Sequence, residues 1–269
     1  MKLVTFLLLA LCIFCNRSYA EHHNIIVAAK SYFPPMSYIK NNQLTGISFS
    51  LLDQIIANHE IIINYKKSTP LPWLRAINNA KQGKIDIILG LEKGNSYDDF
   101  FTYSSMPLFE SAYNIFYLKD QFSNATVNHF LALRGGVTRN FSIDRLAEKG
   151  LNFTRLEPVR SLEQNIKKLI YGRIQFFIAP ALSTADYLST NFPEAAKKII
   201  FISSPVVVTK HYIATSKVSS IGLSLVKKLD DAIVSMHEKG EIESLIGEQI
   251  AQWPGYRWYI ERIPTKIKR

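Results

Sequence analysis

From Asn24 onward, short runs of β-branched and aromatic residues alternate with stretches whose apolar residues recur at helical spacing. That alternation limits the chain more than any single motif, because strands separated by helices pair in parallel and must be covered on both faces. Residues 25–28 read as a first strand, and Pro34-Pro35 turn it into a loop. Phe49, Leu52, Ile55 and Ile56 give residues 48–58 one apolar helical face. A second strand is expected over 61–65. A further helix opens near Pro72, whose missing N–H costs nothing in a first turn, and closes at Gly83 ahead of a buried strand over 85–89.

The same joint recurs. Gly83-Lys84-Ile85-Asp86-Ile87-Ile88 is echoed by Gly172-Arg173-Ile174-Gln175-Phe176-Phe177, 89 residues later. Helix–Gly–strand joints are common in α/β chains, so the information lies in the spacing, which suits two α/β lobes of similar size. The remaining elements, a strand-like run over 211–215 and helices over 223–237 and 242–250, are too few to enclose a core. They must pack on the earlier lobe, so the chain crosses to a second lobe and returns.

The N-terminus carries Lys2, an apolar run from Val4 to Phe14, and Ser18-Tyr19-Ala20. This is the pattern of a cleaved secretory signal peptide, too short to span a bilayer. Residues 1–20 are therefore expected to be removed, leaving a mature start at Glu21. Cys12 and Cys15 are the only cysteines and lie in that segment, so no disulfide is expected; neither follows a small residue, which argues against a lipoprotein. Losing Lys2 and Arg17 lowers the net charge from +10 to +8. The basic residues after Tyr256 read as a solvated tail, and nucleic acid is not an expected partner.

A search for chemistry returns little. There is no Gly-x-Ser-x-Gly elbow and no phosphate-cradling Gly-rich loop. The histidines do not cluster apart from His22-His23, which reads as a mobile N-terminus. Asp98-Asp99 and Asp230-Asp231 are sequence neighbours whose side chains diverge. No metal, cofactor or catalytic group is expected. Aromatic and charged residues do collect in loops after strands, where open α/β sheets bind ligands: Tyr32-Phe33, Leu91-Glu92, and Arg134 to Arg139 after an apolar run over 130–133, with Trp73 opening a helix. Taken singly, each aromatic suits a core as well as a ligand platform.

These residues resemble the periplasmic solute-binding proteins of bacterial extracellular family 3, the type serving polar amino-acid ABC importers. The resemblance runs through Ile26-Val27-Ala28, Phe33-Pro34-Pro35-Met36-Ser37-Tyr38, Leu44-Thr45-Gly46-Ile47-Ser48, Gln82-Gly83-Lys84-Ile85-Asp86-Ile87-Ile88-Leu89-Gly90, Tyr103 to Phe109, Gly172-Arg173-Ile174 and His237 to Ile242. It implies a two-lobed α/β fold of the periplasmic-binding-protein type II, closing on a small solute. Lobe one would comprise 21–110 and 215–269, and lobe two 111–214, with hinge crossings near 111–115 and 210–214. Pocket positions carried over are Lys30, Phe33, Gly90, Glu92 and Tyr97 in lobe one, and Arg134, Thr138 and Pro180 in lobe two, with Tyr32 and Trp73 as neighbouring aromatics. Two positions depart from the family. Tyr97 stands where amino-acid binders place the Arg for the α-carboxylate, and Ala179-Pro180 where they place the acid for the α-ammonium; Glu92 and Arg134 remain as a different charged pair. The resemblance implies a monomer in the periplasm whose partners are one small molecule and a membrane permease. A sensor module for a membrane receptor, or an exported dehydratase-like enzyme with Glu92 as base, would share the scaffold.

Overall fold

The computed structural model describes residues 25–58, 64–94, 97–122, 124–139, 141–219 and 222–263. Residues 1–20, expected to be a signal peptide, His22-His23, His59, most of the strand expected over 61–65 and the end of the basic tail lie outside them.

The fold is two copies of one β–α–β–α–β arrangement. The first runs β1 (Ile25–Ala29), α1 (Ile47–Asn58), β5 (Tyr65–Lys67), α2 (Trp73–Lys81) and β6 (Ile87–Leu91), with a small meander of β2 (Tyr32–Phe33), β3 (Ser37–Lys40) and β4 (Gln43–Thr45) between β1 and α1. After β7 (Phe101–Tyr103), β8 (Phe109–Leu118) and a helical turn α3 (Val127–Phe130), the second runs β9 (Arg134–Thr138), α4 (Asp144–Ala147), β10 (Arg155–Val159), α5 (Leu162–Ile170) and β11 (Phe176–Pro180). Then come α6 (Ala181–Asn191), α7 (Pro193–Ala196), β12 (Ile199–Phe201), β13 (Val207–Ser216), α8 (Gly222–Glu238), α9 (Glu241–Ala251) and α10 (Pro254–Glu261). The sheet order β10-β9-β11-β8-β13-β6-β1-β5 places each parallel trio beside an antiparallel strand arriving from the other half. β8 and β13 pair over Phe109–Tyr113 and Val207–His211. Beyond that, β8 continues against β11 and β12, and β13 against β6 and β7.

Local choices follow the sequence. Gly83 and Gly172 take the left-handed conformation (φ 72° and 68°) that ends α2 and α5. Buried Ala76, Ile77 and Ala80 face the sheet from α2; Asn165, Ile166 and Leu169 do so from α5. Phe49, Leu52 and Ile55 of α1 join Leu225, Leu229 and Ile233 of α8 in the first half's main core.

Two expectations change. The run over 130–133 is not a strand: Val127–Phe130 is a helical turn, and the strand is Arg134–Thr138. Gly135 and Gly136, which look like a loop in sequence, are strand residues with no room for a side chain. A Cβ on Gly135 would come 2.1 Å from the Phe176 ring, and one on Gly136 2.1 Å from Asn165 Oδ1. The C-terminal region, expected wholly in lobe one, also divides. α10 packs on the second half, where Trp258 stacks on Phe116 and Phe201 and donates from Nε1 to Ala196 O at 3.0 Å. Gly255 permits this docking, since a Cβ there would meet the Asp186 backbone at 2.8 Å.

Candidate functional site

The parallel strands of each half point their C-terminal ends at the other half, and the residues that follow them line a cleft of about 550 Å³. Lys30 follows β1, Glu92 follows β6 and Trp73 opens α2 on one side; Arg139 follows β9 and Arg145 sits on α4 on the other. Ser31 Oγ donates to Leu71 O at 2.7 Å, tying the turn after β1 to the approach to α2 and thereby fixing Lys30 relative to Trp73.

Glu92 is the electrostatic centre. Arg145 Nη1 reaches across the cleft to Glu92 Oε2 at 2.8 Å, while Lys30 Nζ lies 3.5 Å from Oε1 on the same side. Arg145 is steadied by a 2.9 Å hydrogen bond from Nη1 to Thr209 Oγ1 on β13. Lys30 Nζ stands 4.7 Å from the Phe33 ring centroid and 5.4 Å from that of Trp73, so its charge rests against two aromatic faces. Burial pushes the Lys30 ammonium below its usual range, the Glu92 carboxylate opposes this, and Arg145 adds to the lowering.

Beneath Glu92 lies His211, fully buried and stacked on Phe109 at 4.6 Å. Its Nδ1 faces Gly90 O at 3.2 Å, and its Nε2 faces Ser111 Oγ at 2.7 Å. A carbonyl can only accept, so Nδ1 carries the hydrogen and Nε2 accepts from Ser111. Burial, followed by the nearby Lys30 charge, holds the His211 pKa well below 6.5, so the ring is neutral at pH 7. Gly90 takes φ 81° beside an irregularity in the β13–β6 pairing, and the turn of backbone there presents its carbonyl to His211.

Not every sequence-predicted position meets the cleft. Lys30, Trp73, Glu92 and Tyr97 line it; Gly90 lies under it, and Thr138 ends β9 next to Arg139. Phe33 is 6% exposed and packs among Phe109, His211 and Lys30, so it is a core aromatic. Tyr32 is 51% exposed and meets Tyr187 of the other half edge-on at 5.5 Å, outside this cleft. Pro180 precedes the first turn of α6 and faces a second cavity of about 370 Å³ behind Phe33, near where Ser183 Oγ donates to Pro34 O at 2.7 Å.

Arg134 is displaced altogether. Its backbone N–H donates to Gln175 Oε1 and its carbonyl accepts from Gln175 N, just as Ile26 and Asp86 bond at the start of β1. It therefore opens its strand at the end remote from the cleft, and its guanidinium lies 3.6 Å from Glu157 on the surface. The partner that sequence assigned to Glu92 is Arg145 instead. No spacing rule singles out Arg145, which stands on a four-residue helix in a polar stretch, or His211; Arg139 is reached from sequence only as the end of the stretch Arg134 to Arg139.

The comparisons agree with this architecture. The model for bacterial extracellular solute-binding proteins, family 3, matches residues 25–249. Among solved structures, a histidine kinase sensor domain with similarity to periplasmic binding proteins aligns at TM-score 0.68 and 14% identity, covering 85% of this chain and 96% of its own. A double-mutant VFT2 domain of Bordetella pertussis BvgS aligns at 0.68 and 17%, covering 86% and 94%. The arginine-, lysine-, histidine-binding protein ArtJ from Geobacillus stearothermophilus aligns at 0.64 and 17%, covering 86% and 96%. No curated protein matches the chain in sequence. With most of its length matched by the family model, the chain belongs to the bacterial extracellular solute-binding proteins, family 3.

Proposed function

We propose that the protein captures one small polar solute between its lobes and delivers it to a membrane importer of the ABC type, working in the periplasm after removal of residues 1–20. The observation that carries this reading is the ion pair between Glu92 and Arg145, which spans a cleft built from strand ends of both halves. A solute entering there would exchange with a contact that already joins the lobes, so binding and closure are one event. No covalent step belongs to this reading. Glu92, the residue best placed to act as a base, has its carboxylate taken up by Arg145 and Lys30.

The experiment is to denature the purified protein, identify the released small molecule by mass spectrometry, and add it back to stripped protein during small-angle scattering. Recovery of the molecule unchanged, with a smaller radius of gyration on rebinding, supports capture. A molecule transformed on incubation would instead mean catalysis. Binding that persists while an importer deletion leaves uptake unaffected would shift the role to sensing.

A further inference from the structure

We propose that the solute is an organic anion, a small carboxylate without an adjacent ammonium group, and that Arg145 of lobe two receives it. This rests on the cleft reading above and names the chemistry of that same site.

The cleft is lined by the cations Lys30, Lys93, Arg139 and Arg145 and by the carboxylates Glu92, Asp144 and Glu148. Asp144 and Glu148 are exposed, which leaves Glu92 as the half-buried acid of the cleft among the described residues. Glu92 already serves two cations, Arg145 at 2.8 Å and Lys30 at 3.5 Å. The two ways of breaking this cluster are unequal. A solute carboxylate that takes Arg145 leaves Glu92 paired with Lys30, and every buried charge keeps a partner. A solute ammonium that takes Glu92 must sit among two cations and strip one of them of its carboxylate. Lys30, wedged against Phe33 and Trp73, tolerates that loss badly, because a buried charge without a partner is expensive.

The opposite wall offers an ammonium only the exposed carboxylates Asp144 and Glu148, which water already solvates. For an anion the wall is supplied. Arg145 presents a planar guanidinium suited to a carboxylate, and Arg139 follows β9 at the same cleft. Trp73, Tyr97 and Phe141 add aromatic edges for the rest of the molecule.

The test uses calorimetry and thermal shift on the ligand-stripped protein with succinate, benzoate and glutamine as probes, repeated on Glu92→Gln and Arg145→Ala. The expected result is that at least one carboxylate binds, glutamine does not, and Arg145→Ala weakens the carboxylate at least tenfold. Glu92→Gln should tighten it, because the internal carboxylate competing for Arg145 is gone; if that variant melts too early to assay, Arg145→Ala alone decides. Failure of both carboxylates to bind overturns the proposal, as does glutamine binding that weakens tenfold in Glu92→Gln. In the second case solute capture survives with an ammonium on Glu92. Capture itself falls if the molecule recovered on denaturation neither rebinds nor compacts the protein, or is transformed on incubation.

Discussion

Asp86 and Gln175 hold the same place in the two halves of the fold. Asp86 Oδ2 accepts from Ile26 N at 2.8 Å at the start of β1, and Gln175 Oε1 accepts from Arg134 N at 3.0 Å at the start of β9. Each side chain sits where a helix has ended at Gly and the third strand begins, and each clamps the first strand of its trio to the third.

The two clamps should differ in weight. Asp86 also accepts from Ser219 Oγ at 2.7 Å, so Asp86→Ala strands two donors in a partly buried joint and should lower unfolding free energy by about 1–3 kcal/mol. Gln175→Ala frees one backbone N–H next to an exposed Arg134, which water can reach, and should cost at most about 1 kcal/mol. Urea denaturation of the two variants measures both; equal losses would mean the joints are energetically alike.

Gly135→Ala places a methyl group into the Phe176 ring and should destabilise by roughly 1–3 kcal/mol or more through overpacking. Gly247→Ala is the control: it is exposed in α9 with nothing near its Cβ position, and should stabilise by up to about 1 kcal/mol through helix propensity. Melting temperatures of the pair should move in opposite directions.

His211 predicts an acid sensitivity. Its folded pKa lies well below the unfolded value of 6.5, so below pH 6.5 the unfolded chain binds a proton that the folded one refuses. The stability from a neutral His211 is fully present above pH 6.5 and is lost as pH falls through that value toward the folded pKa. His211→Gln should therefore show a smaller drop in melting temperature between pH 7.5 and pH 5 than the parent protein. An unchanged drop would assign the acid loss to the carboxylates.

Arg134→Ala should leave solute affinity unaltered and cost roughly 0–1 kcal/mol of stability, the range of an exposed ion pair. Arg145→Ala, in contrast, removes the cross-cleft contact. Calorimetry with the recovered solute separates the two; a tenfold loss in Arg134→Ala would contradict the position of this residue at the remote end of β9.

The sequence by itself determined what local periodicity and backbone chemistry control: the alternation of strands and helices, the two joints at Gly83 and Gly172, and the placement of Glu92 after a strand and of Trp73 at the head of a helix. These follow from the alternating and 3.6-residue repeats and from the one residue that readily takes a positive φ. Tertiary structure alone decided which charged groups meet. Arg134 follows an apolar run and Arg145 lies in a polar stretch of the same lobe, and local sequence favours the first, which is the wrong one of the two. The direction of β9 sends the first to the far end and brings the second, carried on α4, against Glu92. Phe33 likewise became core, and Gly135-Gly136 strand, because Phe109, His211, Phe176 and Asn165 arrive there from distant elements. Apolar spacing tells how deeply a residue is buried; only the packed chain tells against what.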